Sequence, residues 1–168
     1  MTDIDPEEMQ RRYERELGTK TWYVDDSYEI VKKLKSMGLK QYIVTNGIIV
    51  TQQIKMKNSG FDQLIDKVFI SDVIGYEKPR KEFFDIAFEE LEGFEKGKAL
   101  LIGDSLTSDM RGANNAGVDA CWYNPGRKPL PERRCGEEPV HIEYEIRNLK
   151  DVFGVIGGVA CRNQKNRN

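Results

Sequence analysis

Histidine and cysteine are scarce in this chain: one histidine, His141, and three cysteines, Cys121, Cys135 and Cys161, in 168 residues. The cysteines are odd in number, widely separated and without a C-x-x-C pair. Neither a zinc site nor a disulfide framework is expected, and a reducing compartment suits them. An excess of one charge sign is also missing, with 26 Lys plus Arg against 28 Asp plus Glu and a formal charge of -2. That balance argues against a polyanion-binding field, and so against nucleic acid or a membrane surface as partner. No apolar stretch is long enough to span a bilayer, and the acidic opening M-T-D-I-D-P-E-E has no apolar h-region. The expectation is a soluble, cytoplasmic chain, with one domain as the default at this length.

What is present is an alternation of helical and strand patterns. Asp5-Pro6-Glu7-Glu8 is a helix start, with Asp5 as N-cap, Pro6 at the first helical position and Glu8 placed for a capping box; the helix is predicted to reach about Gly18. A second helix starts near Asp25 or Asp26 and is closed by Gly38. Gln41 to Thr45 reads as a strand, Asn46-Gly47 as a turn, and Ile48 to Ser59 as a helix ended by Gly60. The pattern repeats: strand Lys67 to Ser71, loop Gly75 to Pro79, and a helix Lys81 to Glu92 with Phe84, Ala87, Phe88 and Leu91 on one face. Then come strand Lys98 to Ile102, helix Leu106 to Ala116, strand Val118 to Tyr123, a short edge strand His141 to Ile146, and a last helix Leu149 to Ile156. Such alternation predicts an α/β fold, a parallel sheet with right-handed crossovers.

The stretch A-L-L-I-G-D-S-L-T-S-D, Ala99 to Asp109, stands out. A buried strand reads as a continuous apolar run, and open α/β sheets bind ligands at the carboxyl ends of their strands. Asp104 and Asp109, five residues apart at such an end, are placed to hold Mg²⁺, a hard cation that favours carboxylate oxygens. Two other strand ends carry polar signals, Thr45-Asn46-Gly47 and Lys78-Pro79. Singly, each reads more simply as a plain turn, a surface lysine or a helix cap.

Jointly, in this order, the three sites resemble motifs II, III and IV of the haloacid dehalogenase superfamily of phosphohydrolases, across roughly Trp22 to Ile156. The resemblance implies a Rossmann-like core with helices on both faces, Mg²⁺ as cofactor, and phosphomonoester hydrolysis through an aspartyl-phosphate. It also implies roles. Thr45, Asn46 and Gly47 would cradle phosphate oxygens, and Lys78 would neutralise phosphate and nucleophile. Asp104 would be a metal ligand, and Asp109 a ligand or a partner that orients water. The stretches V-T-N-G, I-S-D-V-I-G-Y-E-K-P and D-A-C-W-Y-N resemble the bacterial 5'-nucleotidases acting on pyrimidine nucleoside monophosphates. The implied substrate is a small phosphorylated metabolite, a nucleotide first, with sugar phosphates or phosphoglycolate as alternatives.

The departure from the family pattern concerns motif I, an apolar strand ending in D-x-D that carries the nucleophile. No such strand precedes Thr45. Asp3-Ile4-Asp5 has the spelling without an apolar run before it, and Asp5 is better explained as an N-cap. The implied organisation is the end of a helical cap and its return helix over residues 1–38, a core lacking the central motif I strand over 39–157, and a disordered tail over 158–168. Three consequences are open for the strands ending at Thr45 and Asp104: they close up, another chain supplies the strand, or the fold is weak. The chain alone is expected to lack turnover, and a non-catalytic Mg²⁺ or phosphate-binding domain is the alternative to an enzyme.

Two rivals are weaker. Cys121 to Arg127 spells the C-x5-R pattern of cysteine phosphatases, but Cys121 falls inside a strand and the run leads into a loop rather than a helix. Phospho-receiver domains have aspartates, threonine and lysine in a different order. His141, Trp22, Tyr23, Trp122 and Tyr123 read as core or surface residues, and Arg127, Arg133 and Arg134 as a solvated basic loop.

Overall fold

The computed structural model describes residues 5–19, 21–131 and 138–157. Asp3, Cys135, Cys161, Arg133, Arg134 and the expected tail 158–168 lie outside those residues. The fold is α/β, with parallel sheets and helices on both sides, as the alternation requires. It forms two compact units, Met1–Glu77 and Lys78–Asn168.

The first unit opens with helix α1, Pro6–Thr19, whose start is capped where expected: the Asp5 carboxylate accepts the Glu7 N–H at 3.0 Å. Helix α2, Ser27–Ser36, follows. Strand β1, Tyr42–Thr45, pairs in parallel with β2, Lys67–Ile70, in a two-stranded sheet whose register runs from Tyr42↔Lys67 to Thr45↔Ile70. The crossover between them is α3, Ile49–Ser59, ended by Gly60 at φ 69°. Helix α1 packs on α3 at a very short distance, because Gly18 has no side chain; a Cβ there would stand 2.8 Å from the Ile54 Cβ. The Thr51 hydroxyl, also buried, donates to the Glu14 carbonyl across the same contact at 3.0 Å. A short helix α4, Ser71–Ile74, follows β2 directly, taking Ser71 from the predicted strand and filling residues 72–74, for which no element is predicted.

The second unit holds the larger core. Helix α5, Lys81–Glu89, buries Phe83, Phe84 and Ala87. Phe84 and Ala87 lie on the predicted face, Phe83 joins them, Phe88 and Leu91 are only half-buried, and the helix ends three residues early. The chain turns after Glu89 so that Phe94 stacks on Phe88 with ring centroids 4.2 Å apart. Strands β3, Leu100–Gly103, β4, Asp119–Tyr123, and β5, Tyr144–Ile146, form a parallel sheet in that order. Between β3 and β4, the predicted helix divides into a π-helical turn, Leu106–Met110, and helix α6, Arg111–Ala116. A 3-10 turn, Leu149–Asp151, leads into helical residues 152–157. Met110, Ala113, Ala120, Cys121 and Val152 complete the core. The described strands form two sheets, β1–β2 in the first unit and β3–β4–β5 in the second.

Candidate functional site

The expected site residues fall in two groups, one in each unit. In the first unit the parallel register pairs Thr45 with Ile70, so residues 46–47 and 71–72 leave the sheet side by side. Backbone groups at such a point need partners, and side chains supply them. The Gly47 N–H donates to the Ser71 hydroxyl at 3.0 Å, and that hydroxyl faces the Gly47 carbonyl at 3.5 Å. The Ile49 N–H, in the first turn of α3, donates to the Asp72 carboxylate at 3.1 Å. Ile48 precedes α3 and makes no side-chain cap, so Asp72 takes that role from the neighbouring strand end. The Thr45 hydroxyl donates to the Asn46 carbonyl at 3.3 Å.

In the second unit the strand end of β3 gathers Lys78, Asp104 and Asp109. The Lys78 ammonium donates to Asp109 Oδ1 at 2.6 Å, with both side chains nearly buried at 9% and 12% exposure. The other oxygen, Oδ2, accepts the Ser105 N–H at 3.1 Å. This orientation follows from the π turn. The Ser105 carbonyl accepts both the Asp109 and the Met110 N–H, at 2.9 and 3.0 Å, and its hydroxyl accepts the Ser108 N–H at 3.2 Å. The extra residue in the turn carries Asp109 back over the strand it follows, a placement for which π turns are used at functional sites. Gly103 makes room: a Cβ on it would lie 2.5 Å from the Asp109 Cβ and carboxylate. Asp104 is exposed, and its carbonyl accepts the Trp122 indole N–H at 3.1 Å. The Pro79 carbonyl accepts from the Asn115 side chain at 2.8 Å, which ties the lysine's loop to α6.

Thus Lys78 meets Asp109, Gly47 meets Ser71, and Ile49 meets Asp72. The motifs quoted from the sequence contain Ser71, Asp72, Gly103 and Ser105 but give none of them a role. The signal for the first two was a hydroxyl and a carboxylate directly after a strand in register with Thr45. Among the described residues no group of three or more His, Cys, Asp or Glu side chains is arranged as a metal cluster.

The rival C-x5-R run is not a phosphate cradle. Cys121 is fully buried inside β4, and burial pushes its thiol up to about 11. The loop after it is closed by Asn124, whose side chain donates to the Lys128 carbonyl at 3.0 Å and accepts the Lys128 N–H at 2.8 Å. His141 lies at the surface, 3.0 Å from Glu143 Oε1.

A family model described as haloacid dehalogenase-like hydrolase matches residues 1–123. The chain belongs to this family. It is 34% identical over 149 residues to the HAD-hydrolase YfnB of Bacillus subtilis, covering 88% of this chain and 60% of that protein. It is 33% identical over 141 residues to the pyrimidine 5'-nucleotidase PynA of Streptococcus pneumoniae, covering 84% of this chain and 58% of PynA. A glyceraldehyde 3-phosphate phosphatase of Methanopyrus kandleri is 31% identical over 135 residues, with 80% and 57% covered. A crystal structure of YfnB bound to magnesium superposes with a TM-score of 0.79 at 32% identity, covering 92% of this chain and 64% of that one. The chain therefore spans about three fifths of the length of these relatives.

Proposed function

We propose that the chain carries the anion-binding and charge-neutralising groups of a phosphomonoester hydrolase acting on nucleoside 5'-monophosphates. Thr45, Asn46 and Gly47 form the loop that receives the phosphate, Lys78 supplies positive charge, and Asp104 and Asp109 serve the metal. Residues 1–38 then represent the end of the helical cap and its return to the core. The observation that carries this reading is the Lys78–Asp109 pair. Burying two charges costs several kcal/mol of desolvation per ion, which packing alone would not favour, whereas a fixed cation at a strand end suits phosphoryl chemistry. The names of PynA and of a second pyrimidine 5'-nucleotidase, YjjG of Escherichia coli, support the nucleotide class. The glyceraldehyde 3-phosphate phosphatases keep a sugar-phosphate substrate as the second reading.

The donor chemistry fits Mg²⁺ in a limited way. An exposed Asp104 carboxylate can supply one oxygen, and Mg²⁺ is commonly held by one or two carboxylates, with water and substrate phosphate completing the shell. Asp109 already accepts from Lys78 and Ser105, which suits it to orienting its neighbours more than to direct ligation. When bound, the metal would withdraw charge from the phosphoryl oxygens. Lys78 holds its ammonium where Asp109 fixes it, and the Thr45 loop presents polar groups to the anion.

Among the described residues no apolar strand ending in D-x-D precedes Thr45 to carry an aspartate nucleophile, so the 168-residue chain is expected to bind without turnover. The test is hydrolysis of p-nitrophenyl phosphate and of uridine 5'-monophosphate by the pure chain with Mg²⁺, alongside Mg²⁺ and phosphate titration by calorimetry. Binding that is lost in Asp104→Asn, with no hydrolysis, supports the reading. Robust hydrolysis abolished by Asp104→Asn overturns the statement about turnover, and no binding of either ion overturns the assignment of the groups.

A further inference from the structure

We propose that Ser71 and Asp72 are positioning residues for the loop 45–47, and that they confine a bound phosphate to its Thr45 side by occupying the N–H groups of Gly47 and Ile49. The proposal rests on the reading of that loop as the phosphate receiver. It begins from the register. Because Thr45 pairs with Ile70, the first residues after each strand are forced together, and a hydroxyl and a carboxylate stand where the loop's amides emerge.

Ser71 is 6% exposed and sits between two groups of one residue, accepting from the Gly47 N–H at 3.0 Å with the Gly47 carbonyl 3.5 Å away. A hydroxyl can do both at once, being donor and acceptor. It therefore fixes the peptide planes on either side of Gly47. Gly47 itself adopts φ 154°, a region that glycine reaches readily, so little in the residue's own stereochemistry holds the loop.

Asp72 acts one residue further along. The start of an 11-residue helix carries partial positive charge and orphan N–H groups that would attract an anion. Here the Asp72 carboxylate already takes the Ile49 N–H at 3.1 Å. An internal anion at this point repels a second one from the helix start and leaves the Thr45 hydroxyl side as the place to dock. The expected donors for phosphate thus contract: Gly47 and Ile49 shape the receiver, and their N–H groups do not touch the ligand.

The experiment uses the full chain, ¹⁵N-labelled, with inorganic phosphate as probe, and reads amide hydrogen exchange without ligand and amide shifts with it. Without ligand, the Gly47 and Ile49 amides should be protected. Ser71→Ala should speed exchange at Gly47 and Asp72→Ala at Ile49, each about three- to tenfold, the worth of one hydrogen bond. With phosphate, Thr45 and Asn46 should shift while Gly47 and Ile49 hardly move. Ser71→Ala should weaken phosphate binding by a similar factor, and Ser71→Thr, which keeps a hydroxyl, should restore it. Asp72→Ala should make the Ile49 amide respond to phosphate. Unprotected Gly47 and Ile49 amides in the parent chain, or equal phosphate shifts at Gly47, Ile49 and Thr45, would overturn the proposal. Protected amides with no phosphate binding at all would instead overturn the phosphate reading of the loop and the confinement that depends on it. The two failures therefore separate.

Discussion

The Lys78 ammonium and the Asp109 carboxylate lie 2.6 Å apart, each almost out of water, at the carboxyl end of β3. Two facts make this arrangement possible. A π turn brings Asp109 back over the strand, and a glycine at position 103 leaves it room. A pair in this setting is costly to break, because the remaining charge is left buried and uncompensated. Lys78→Met and Asp109→Leu are each expected to lower stability by about 3–5 kcal/mol, and the double variant by clearly less than the sum. Urea denaturation of the four proteins checks this; additive losses would show that the two side chains do not act as a unit.

Gly103→Ala tests the room rather than the charge. The new methyl would meet the Asp109 side chain, which is anchored at both oxygens by Lys78 and Ser105 and so has little freedom to move. An overpacking cost of about 1–3 kcal/mol is expected. The same substitution in an Asp109→Ala background should cost markedly less, since the obstructing carboxylate is gone. Equal costs in the two backgrounds would mean that the clash is relieved elsewhere.

Cys121 gives a pH signature. Its thiol is pushed from an ordinary 9.0 up to about 11 by burial. The unfolded chain therefore loses this proton first, and the folded chain binds more protons between those values. Stability from this group is intact below about pH 9 and declines as pH rises toward 11. Cys121→Ala should flatten that part of the urea-midpoint profile. Iodoacetamide should leave Cys121 unmodified in the folded chain at pH 8 and label it in urea; rapid labelling of folded protein at this position would contradict the burial.

Asp66 works in the opposite direction. Its carboxylate accepts the Gln41 N–H at 2.8 Å with Lys40 at 3.4 Å, and chiefly that backbone hydrogen bond holds its carboxyl below the ordinary 3.8. The contribution is present above that value and disappears as pH falls through the lowered folded one. Parent and Asp66→Asn should differ in urea midpoint at pH 6 and converge in acid. A difference that persists undiminished at pH 2 would assign the effect to something other than the carboxylate's charge.

Much of this was legible in the residues. The apolar run before Gly103, the Thr45 strand and the glycines at 38 and 60 mark element ends, although β3 is only partly buried, with Ile102 exposed, where a fully buried strand is expected. Lys78, Asp104 and Asp109 were legible only jointly, through their order. What stayed hidden was long-range or shape-dependent. The buried face of α5 keeps the predicted Phe84 and Ala87 but adds Phe83, because burial is chosen by what packs against the helix, not by the helix. The π turn depends on one carbonyl accepting two N–H groups, for which L-T-S-D-M has no spelling. Ser71 and Asp72 matter through a strand register that composition and periodicity do not encode.

The boundary between Glu77 and Lys78 puts the Thr45 loop in one compact unit and the Lys78–Asp109 pair in the other. Their heat sensitivities then need not coincide. A two-stranded ladder of four residue pairs is the kind of structure that opens at low cost, whereas the second body has three strands and the larger apolar centre. On warming, the loop 45–47 is expected to loosen while Lys78 and Asp109 still hold each other, so the two halves of the candidate site would melt in sequence and not together.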